Sequence, residues 1–333
     1  MELNGSNAVL VGRLVKGWRG DIRILYDGEN FKELLYRLCV FVFSELEDEF
    51  EELLESAVSQ KTSNIYRRYF NAYTEFCTDL SLPVHGTCSA KSVELWVASL
   101  SKKGLSYGTI QSHLSALRHM SKRNSVQVIC QSDQLEIALK GIKKKGVAPS
   151  SKHAVSVNEV EQLQHYAVRA LPSYMCTMFQ LMVSLAFYGF LRPSEYCVTS
   201  VNHHLKLGDV KLSKSKRVCF LRLRTYKHSV SPAIIRISNS WSTAYSITEL
   251  MQQYLEQNSH RPKSEPLFDI SLSQFRGLLS KVWELTGKRF KITPHCFRHG
   301  GATWASKKGW SVVRIQAHGR WSSQAYNTYV KPY

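Results

Sequence analysis

The sequence predicts a mainly α-helical protein with one small β-sheet, divided into two helical domains. Three observations predict this. Apolar residues recur at i, i+3 and i+4 along most of the chain, the period of an amphipathic helix. Partial two-residue alternation appears only in Val218–Tyr226 and Ala233–Ile237, which read as one hairpin. Between Lys140 and His153 the chain carries lysines, glycines, serines and Pro149 without apolar periodicity, a break between domains. At 333 residues the chain has room for two cores.

The elements follow in order. Residues 1–56 form an N-terminal extension of unassigned role. Within it Ser44–Ser56 holds seven carboxylates, and Leu46, Phe50, Leu53 and Leu54 keep helical spacing, so this stripe is expected to pack on something. Residues 57–142 read as four short helices. Their stripes are Ile65/Tyr66/Tyr69/Phe70/Tyr73/Phe76, Val93/Trp96/Val97/Leu100, Ile110/Leu114/Leu117/Met120 and Leu135/Ala138/Leu139/Ile142. Scattered Lys61, Arg67, Arg68, Lys102, Lys103, Arg118, Lys122 and Arg123 suit contacts to phosphates, although each alone is an ordinary solvated face. Residues 143–155 form a basic linker, in which Lys143, Lys144 and Lys145 are equally a DNA-backbone clamp, a nuclear address or plain solvated charge. The second domain spans 156–333. It opens on Ser156-Val-Asn-Glu159, whose spacing is that of a capping box. The uncharged run Ala170–Leu191 contains Pro172, Ser173, Gln180 and Gly189, so it reads as a buried helix pair rather than a membrane span. The hairpin turn holds Lys227, His228 and Pro232. Helical patterns return at Ile247–Leu255, Leu272–Val282 and from Thr293, broken at Gly309 and Gly319.

Composition narrows the class of function. A net charge of +18 attracts a polyanion, of which nucleic acid is the usual one. The eight cysteines never fall in a CxxC spacing and form no cluster with histidine, which reads as reduced thiols in an intracellular protein with no metal site. No signal peptide is visible in Met1–Asn7.

Four segments of the second domain carry chemistry. They are Tyr188-Gly-Phe-Leu-Arg-Pro-Ser-Glu195, Lys227 in the hairpin turn, Pro294-His-Cys-Phe-Arg-His-Gly-Gly-Ala-Thr-Trp304, and Gly319-Arg-Trp-Ser-Ser-Gln-Ala-Tyr-Asn-Thr-Tyr-Val330. Singly each has a bland reading: a helix cap, a solvated edge, a packed aromatic. Together and in this order they resemble the tyrosine recombinase and phage integrase family, over residues 57–330. The Gly-Arg-Trp-Ser-Ser phrase resembles recombinases of eukaryotic mobile elements of the Crypton or DIRS-like kind.

The resemblance implies a helical core-binding domain followed by a catalytic domain, and a reaction that cuts and rejoins DNA through a covalent 3′-phosphotyrosine. It places Arg192 and Arg298 as the catalytic arginines, with Glu195 supporting the first. Lys227 falls at the hairpin lysine, His295 with Arg298 at the H-x-x-R pair, Trp321 at the His/Trp position, and Tyr329 at the nucleophile. Tyr326 and Tyr333 are also near the end, but Tyr329 stands about two helical turns past Trp321, as the family requires; Tyr326 is then a packing residue. The implied partners are double-stranded DNA and further copies of the chain, as a dimer or tetramer on DNA, with no membrane. No cofactor is implied, and a eukaryotic member would be nuclear.

These residue types fit the chemistry. Transesterification builds negative charge on the non-bridging phosphate oxygens, which two guanidiniums bind without a metal. A tyrosine is protonated near neutral pH, so it needs help to attack, and His295 can take its proton. Lys227 can protonate the 5′-oxygen leaving group. The phosphotyrosine stores the bond energy, which agrees with the absence of a P-loop motif. Two alternatives stand beside this reading: a silent DNA-binding descendant of a transposon recombinase, and a type IB topoisomerase. Retention of Arg192, Lys227, His295, Arg298 and Tyr329 together favours the active enzyme. Only four residues follow Tyr329, so a docking helix beyond the nucleophile is expected to be missing or the chain to be truncated, and exchange between subunits is then doubtful or uses another element.

Overall fold

The computed structural model describes residues 31–83, 90–124, 132–146, 153–199, 203–226, 229, 231–242, 244–322 and 324–330. It divides into two compact units, Met1–Ala148 and Pro149–Tyr333. The architecture is the mainly helical one expected, with a single three-stranded sheet among the described residues.

The first unit contains α1 (Phe31–Ser56), α2 (Gln60–Asp79), α3 (Ala90–Lys102), α4 (Tyr107–Arg123) and α5 (Asp133–Lys145). Serine side chains start three of these helices. Ser59, Ser106 and Ser132 accept hydrogen bonds from the N–H groups of Thr62, Thr109 and Leu135, filling donors that a helix start leaves unpaired. The four stripes build the core, with Tyr73, Trp96, Val97, Leu100, Ile110, Leu114 and Leu139 buried in it. Ala138 departs from its expected stripe and faces solvent. Two other expectations change. The apolar stripe of α1 is not packed: Phe43, Leu46, Phe50 and Leu53 are exposed, and only Leu54 is half-buried. Its acidic side does find a partner, since Arg123 bridges Glu51 and Glu55, each at 3.3 Å. Lys143, Lys144 and Lys145 form the last turn of α5, where cations complement the carbonyl end of the helix, before Gly146 caps it.

The second unit begins with α6 (Val157–Ala170), whose Ser156–Glu159 capping box forms as the sequence implies. Next comes α7 (Ser173–Tyr188), the uncharged run, which is buried along nearly its whole length. At about 1.5–3 kcal/mol for each fully buried large apolar side chain, this helix organises the unit's core. Among the described residues no helix is long and apolar enough to cross a membrane. After the single-turn α8 (Pro193–Tyr196) the sheet runs β1 (Val210–Leu212), β2 (Val218–Leu223) and β3 (Ala233–Ser238), all antiparallel. Cys219 faces Ile237 and Leu221 faces Ile235, all four buried, so one face of the hairpin joins the core. Strand β1 has no counterpart in the sequence pattern, because three residues are too short to show a period. The unit closes with α9 (Ile247–Gln257), α10 (Leu272–Glu284), α11 (Pro294–Lys307), α12 (Val312–Gly319) and a short 3-10 turn, Gln324–Thr328.

Close main-chain approach fixes α11. A Cβ on Gly300 would overlap the Val155 carbonyl, and one on Gly301 the Phe187 carbonyl. Glycine at both positions lets this helix lie directly on α7 and the segment before α6.

Candidate active site

The site grows from the turn that ends α7. Phe190 takes a left-handed backbone conformation, φ 46°, although it is not glycine. That costs about 1–2 kcal/mol and is held by its fully buried ring. The turn throws Leu191 into the core and sets Arg192 at the start of α8, where Pro193 presets the first helical φ. Glu195, fully buried, then folds back on Arg192. Its Oε2 accepts from the Arg192 main-chain N–H at 2.8 Å and its Oε1 from Arg192 Nη1 at 3.0 Å. The sequence thus holds its first arginine by a local i, i+3 loop.

Helix α11 brings Arg298 to the same turn. Arg298 has no exposed surface, and both its terminal nitrogens donate to main-chain carbonyls, Nη1 to Phe190 and Nη2 to Gly319. Its guanidinium carbon lies 4.2 Å from the centre of the Trp321 ring and 5.3 Å from that of Tyr329. Burial, then the nearby Arg320 and Arg192, push the Arg298 pKa below the usual arginine range. The sequence predicts a two-pronged fork offered to phosphate. Here that fork is closed on the backbone, and Nε is a buried N–H without an acceptor among the described residues.

Trp321 and Tyr329 complete an aromatic layer. Gly319 makes room for the first, since a Cβ there would overlap the Trp321 ring. The Trp321 indole Nε1 is buried without an acceptor among the described residues. Tyr329 lies 4.9 Å from Trp321, centre to centre, and its carbonyl accepts from Thr303 Oγ1 at 3.2 Å. Tyr326 packs in the same small cluster with Phe190, Ala302 and Ile315.

Of the other expected residues, His295 lies on α11 with Arg298. It is exposed; the ring stacked on Tyr329, at 4.4 Å, belongs to His299 one turn later. Lys227 lies outside the described residues. Lys143, Lys144 and Lys145 are exposed on the first unit. Among the described residues no group of three or more His, Cys, Asp or Glu side chains could hold a metal ion.

Sequence reasoning missed Arg320. It ends α12 in a left-handed conformation, φ 56°, and its side chain is buried. Nη2 donates to Glu195 Oε2 at 2.7 Å and to the Phe190 carbonyl at 3.1 Å, and Nη1 to the His318 carbonyl at 2.8 Å. Burial pushes the Glu195 pKa up, but Arg320, Arg298 and Arg192 outweigh it and hold the carboxyl below its ordinary range. Beside it His318 donates from Nε2 to the Tyr188 carbonyl, and burial, against that bond, takes its pKa down to about 4. The only sequence signal was the place of Arg320 inside the Gly-Arg-Trp phrase.

Comparison with known proteins agrees with this architecture. The phage integrase family matches residues 153–332, and the phage integrase N-terminal SAM-like domain matches residues 48–122. No curated protein sequence matches the chain. Among solved structures, a lambda integrase dimer bound to a COC′ core site is 15% identical at a TM-score of 0.58, covering 86% of this chain and 95% of that one. The Tn1549 transposon integrase in complex with transposon right end DNA is 16% identical at a TM-score of 0.55, covering 83% and 91%. The XerH site-specific recombinase in a post-cleavage complex is 18% identical at a TM-score of 0.52, covering 72% and 67%. At these identities the likeness is one of fold. The family match spans more than half the chain, and the chain belongs to the phage integrase family of tyrosine recombinases.

Proposed function

We propose that this protein recombines double-stranded DNA at specific sites, cutting and rejoining each strand through a 3′-phosphotyrosine on Tyr329. The supporting observation is the convergence of Arg298, Trp321 and Tyr329 in one layer, with two buried N–H groups, Arg298 Nε and Trp321 Nε1, that have no acceptor among the described residues. Buried donors left unpaired cost free energy, and a phosphate oxygen is the acceptor that suits them.

In the proposed reaction the Tyr329 oxygen attacks the scissile phosphorus and His295 accepts its proton. The 5′-oxygen leaves with a proton from Lys227. Arg192 and Arg298 stabilise the charge on the non-bridging oxygens. Attack by a 5′-hydroxyl on the phosphotyrosine reverses the steps and frees the tyrosine. We assign the reaction to integration or excision of a mobile element of the Crypton or DIRS-like kind, acting in a nucleus. The Gly319-Arg-Trp-Ser-Ser phrase supports that assignment. Lys143, Lys144 and Lys145 would contact the DNA backbone, and two or four copies would assemble on the duplex.

A nicked suicide substrate that traps the covalent complex tests the reading. The wild-type protein should form the adduct, and Tyr329→Phe should abolish it while DNA affinity stays nearly unchanged. An adduct that survives in Tyr329→Phe sinks the assignment and makes Tyr326 the residue to examine.

A further inference from the structure

The geometry points to Arg320 as a positioning residue that ties Arg192 and Arg298 into one unit by holding Glu195 and the Phe190 carbonyl together. This inference rests on the reading of Tyr329 chemistry above. Glu195 Oε2 receives the Arg192 main-chain N–H and Arg320 Nη2, while Oε1 receives Arg192 Nη1. The Phe190 carbonyl receives both Arg298 Nη1 and Arg320 Nη2. One Arg320 nitrogen therefore touches the acceptor of each arginine.

The bond also crosses the unit. Residues 195 and 320 stand 125 positions apart, so Arg320 fastens the α7–α8 turn to the end of α12. Trp321 follows directly, and Tyr329 comes later in the same terminal segment. A charge that only balanced Glu195 would not need a second bond to Phe190 or a third to the His318 carbonyl. The fork geometry of arginine makes all three, and a lysine ammonium on its single flexible stem would not keep the set.

Charge sharpens the role. Arg320 and Glu195 form a nearly neutral pair, which leaves Arg192 and Arg298 as the net positive charge of the site. Loss of Arg320 removes the nearest cation from a buried carboxylate, so Glu195 takes up a proton at higher pH. A protonated Glu195 no longer anchors the Arg192 guanidinium as an ion pair.

The test compares Arg320→Met and Arg320→Lys with the wild type, reading the single-turnover adduct rate on a suicide substrate against pH, and DNA affinity in parallel. Arg320→Met should slow adduct formation about a hundredfold at neutral pH, the scale set by a small misplacement of catalytic groups. DNA affinity should change little. The acid limb of its rate profile should move to higher pH, because a depressed carboxyl keeps its contribution above its own pKa and loses it as pH falls through that value. Arg320→Lys keeps the charge, so its acid limb should stay near that of the wild type while its rate falls about tenfold. In a Glu195→Gln background Arg320→Met should move no limb.

A slower Arg320→Met protein with an unmoved acid limb would overturn the inference, since mere loss of packing gives that result. If Arg320→Met does not fold, an Arg320→Lys protein as fast as the wild type overturns it instead. Acid unfolding of the DNA-free proteins separates the two readings. A wild type that makes no adduct refutes the proposed function. The Arg320–Glu195 link then stands or falls on whether Arg320→Met unfolds at higher pH than the wild type.

Discussion

The two units handle charge in opposite ways. In the first, Arg67, Arg68, Lys102, Lys103, Lys122 and Lys140 are exposed, and among the described residues the buried polar ones are serines and His113, none of them acidic or strongly basic. In the second, Glu159, Glu195, Asp209 and Arg298 are buried, as is the Arg320 side chain. Solvated charges act through their number and tolerate exchange. Buried ones act through position, because each must be matched by hydrogen bonds in a medium that penalises an unmatched ion. The first unit is therefore suited to sequence-tolerant binding along a phosphate backbone, and the second to holding a few groups in one arrangement.

The sharpest way to break this contrast is to delete one arginine from each unit. Arg298→Met should cost about 3–5 kcal/mol of stability, since it leaves the Phe190 and Gly319 carbonyls without donors and disturbs a buried network. Arg68→Met, on an exposed face, should fall within about 0.5 kcal/mol of the wild type. Chemical denaturation measures both, and equal losses would refute the contrast.

Backbone crowding gives the next effect. Gly301→Ala should cost about 1–3 kcal/mol or more, because its Cβ meets the Phe187 carbonyl and cannot relax away cheaply. Gly277→Ala in α10 meets nothing nearby and should stabilise by about 0.4–1 kcal/mol. Thermal unfolding of the two variants gives the comparison directly.

Titration sharpens it further. His318 is held neutral in the folded state, with its pKa taken from 6.5 down to about 4. Its contribution is complete above 6.5 and should fade as pH drops toward 4, because the unfolded chain binds the proton more tightly. Replacing it by glutamine should flatten the stability curve across that window. A slope as steep as that of the wild type would mean that other groups govern the acid side.

The smallest effect should come from the exposed lysines. Changing Lys143, Lys144 and Lys145 to alanine should lower DNA affinity uniformly across sequences. The salt dependence should fall by about one unit of slope for each phosphate that is no longer neutralised. Folding stability should not change. A variant that loses affinity for one DNA sequence alone would give these residues a base-reading role instead.

The comparison also explains what was legible in the sequence. Helix faces and caps were, because they depend on neighbours three or four positions away; the Ser156–Glu159 box and the stripe of α4 are examples. Arg192, Glu195, Arg298, Trp321 and Tyr329 were legible as motif members, and the fold brings the rings of Trp321 and Tyr329 against the Arg298 guanidinium. What escaped was pairing over long sequence distance. Nothing near Arg320 announces that its partner is Glu195, and nothing near His299 announces that Tyr329 stacks on it. The exposed stripe of α1 escaped for a related reason: an amphipathic pattern says which face is apolar, not whether this chain covers it.

The closed fork of Arg298 bears on how relatives of this chain should be judged alive or dead. Because its two nitrogens hold the Phe190 and Gly319 carbonyls, a descendant without any remaining chemistry would still need this arginine to fold. Its survival in a gene is therefore poor testimony to a working enzyme. Tyr329 is a better witness. Its ring stacks on His299 and its carbonyl takes the Thr303 hydroxyl, and phenylalanine would serve both roles equally well. Decay should spare the arginine and let the tyrosine drift to phenylalanine. Inactive relatives of this chain can be sorted by that one oxygen atom.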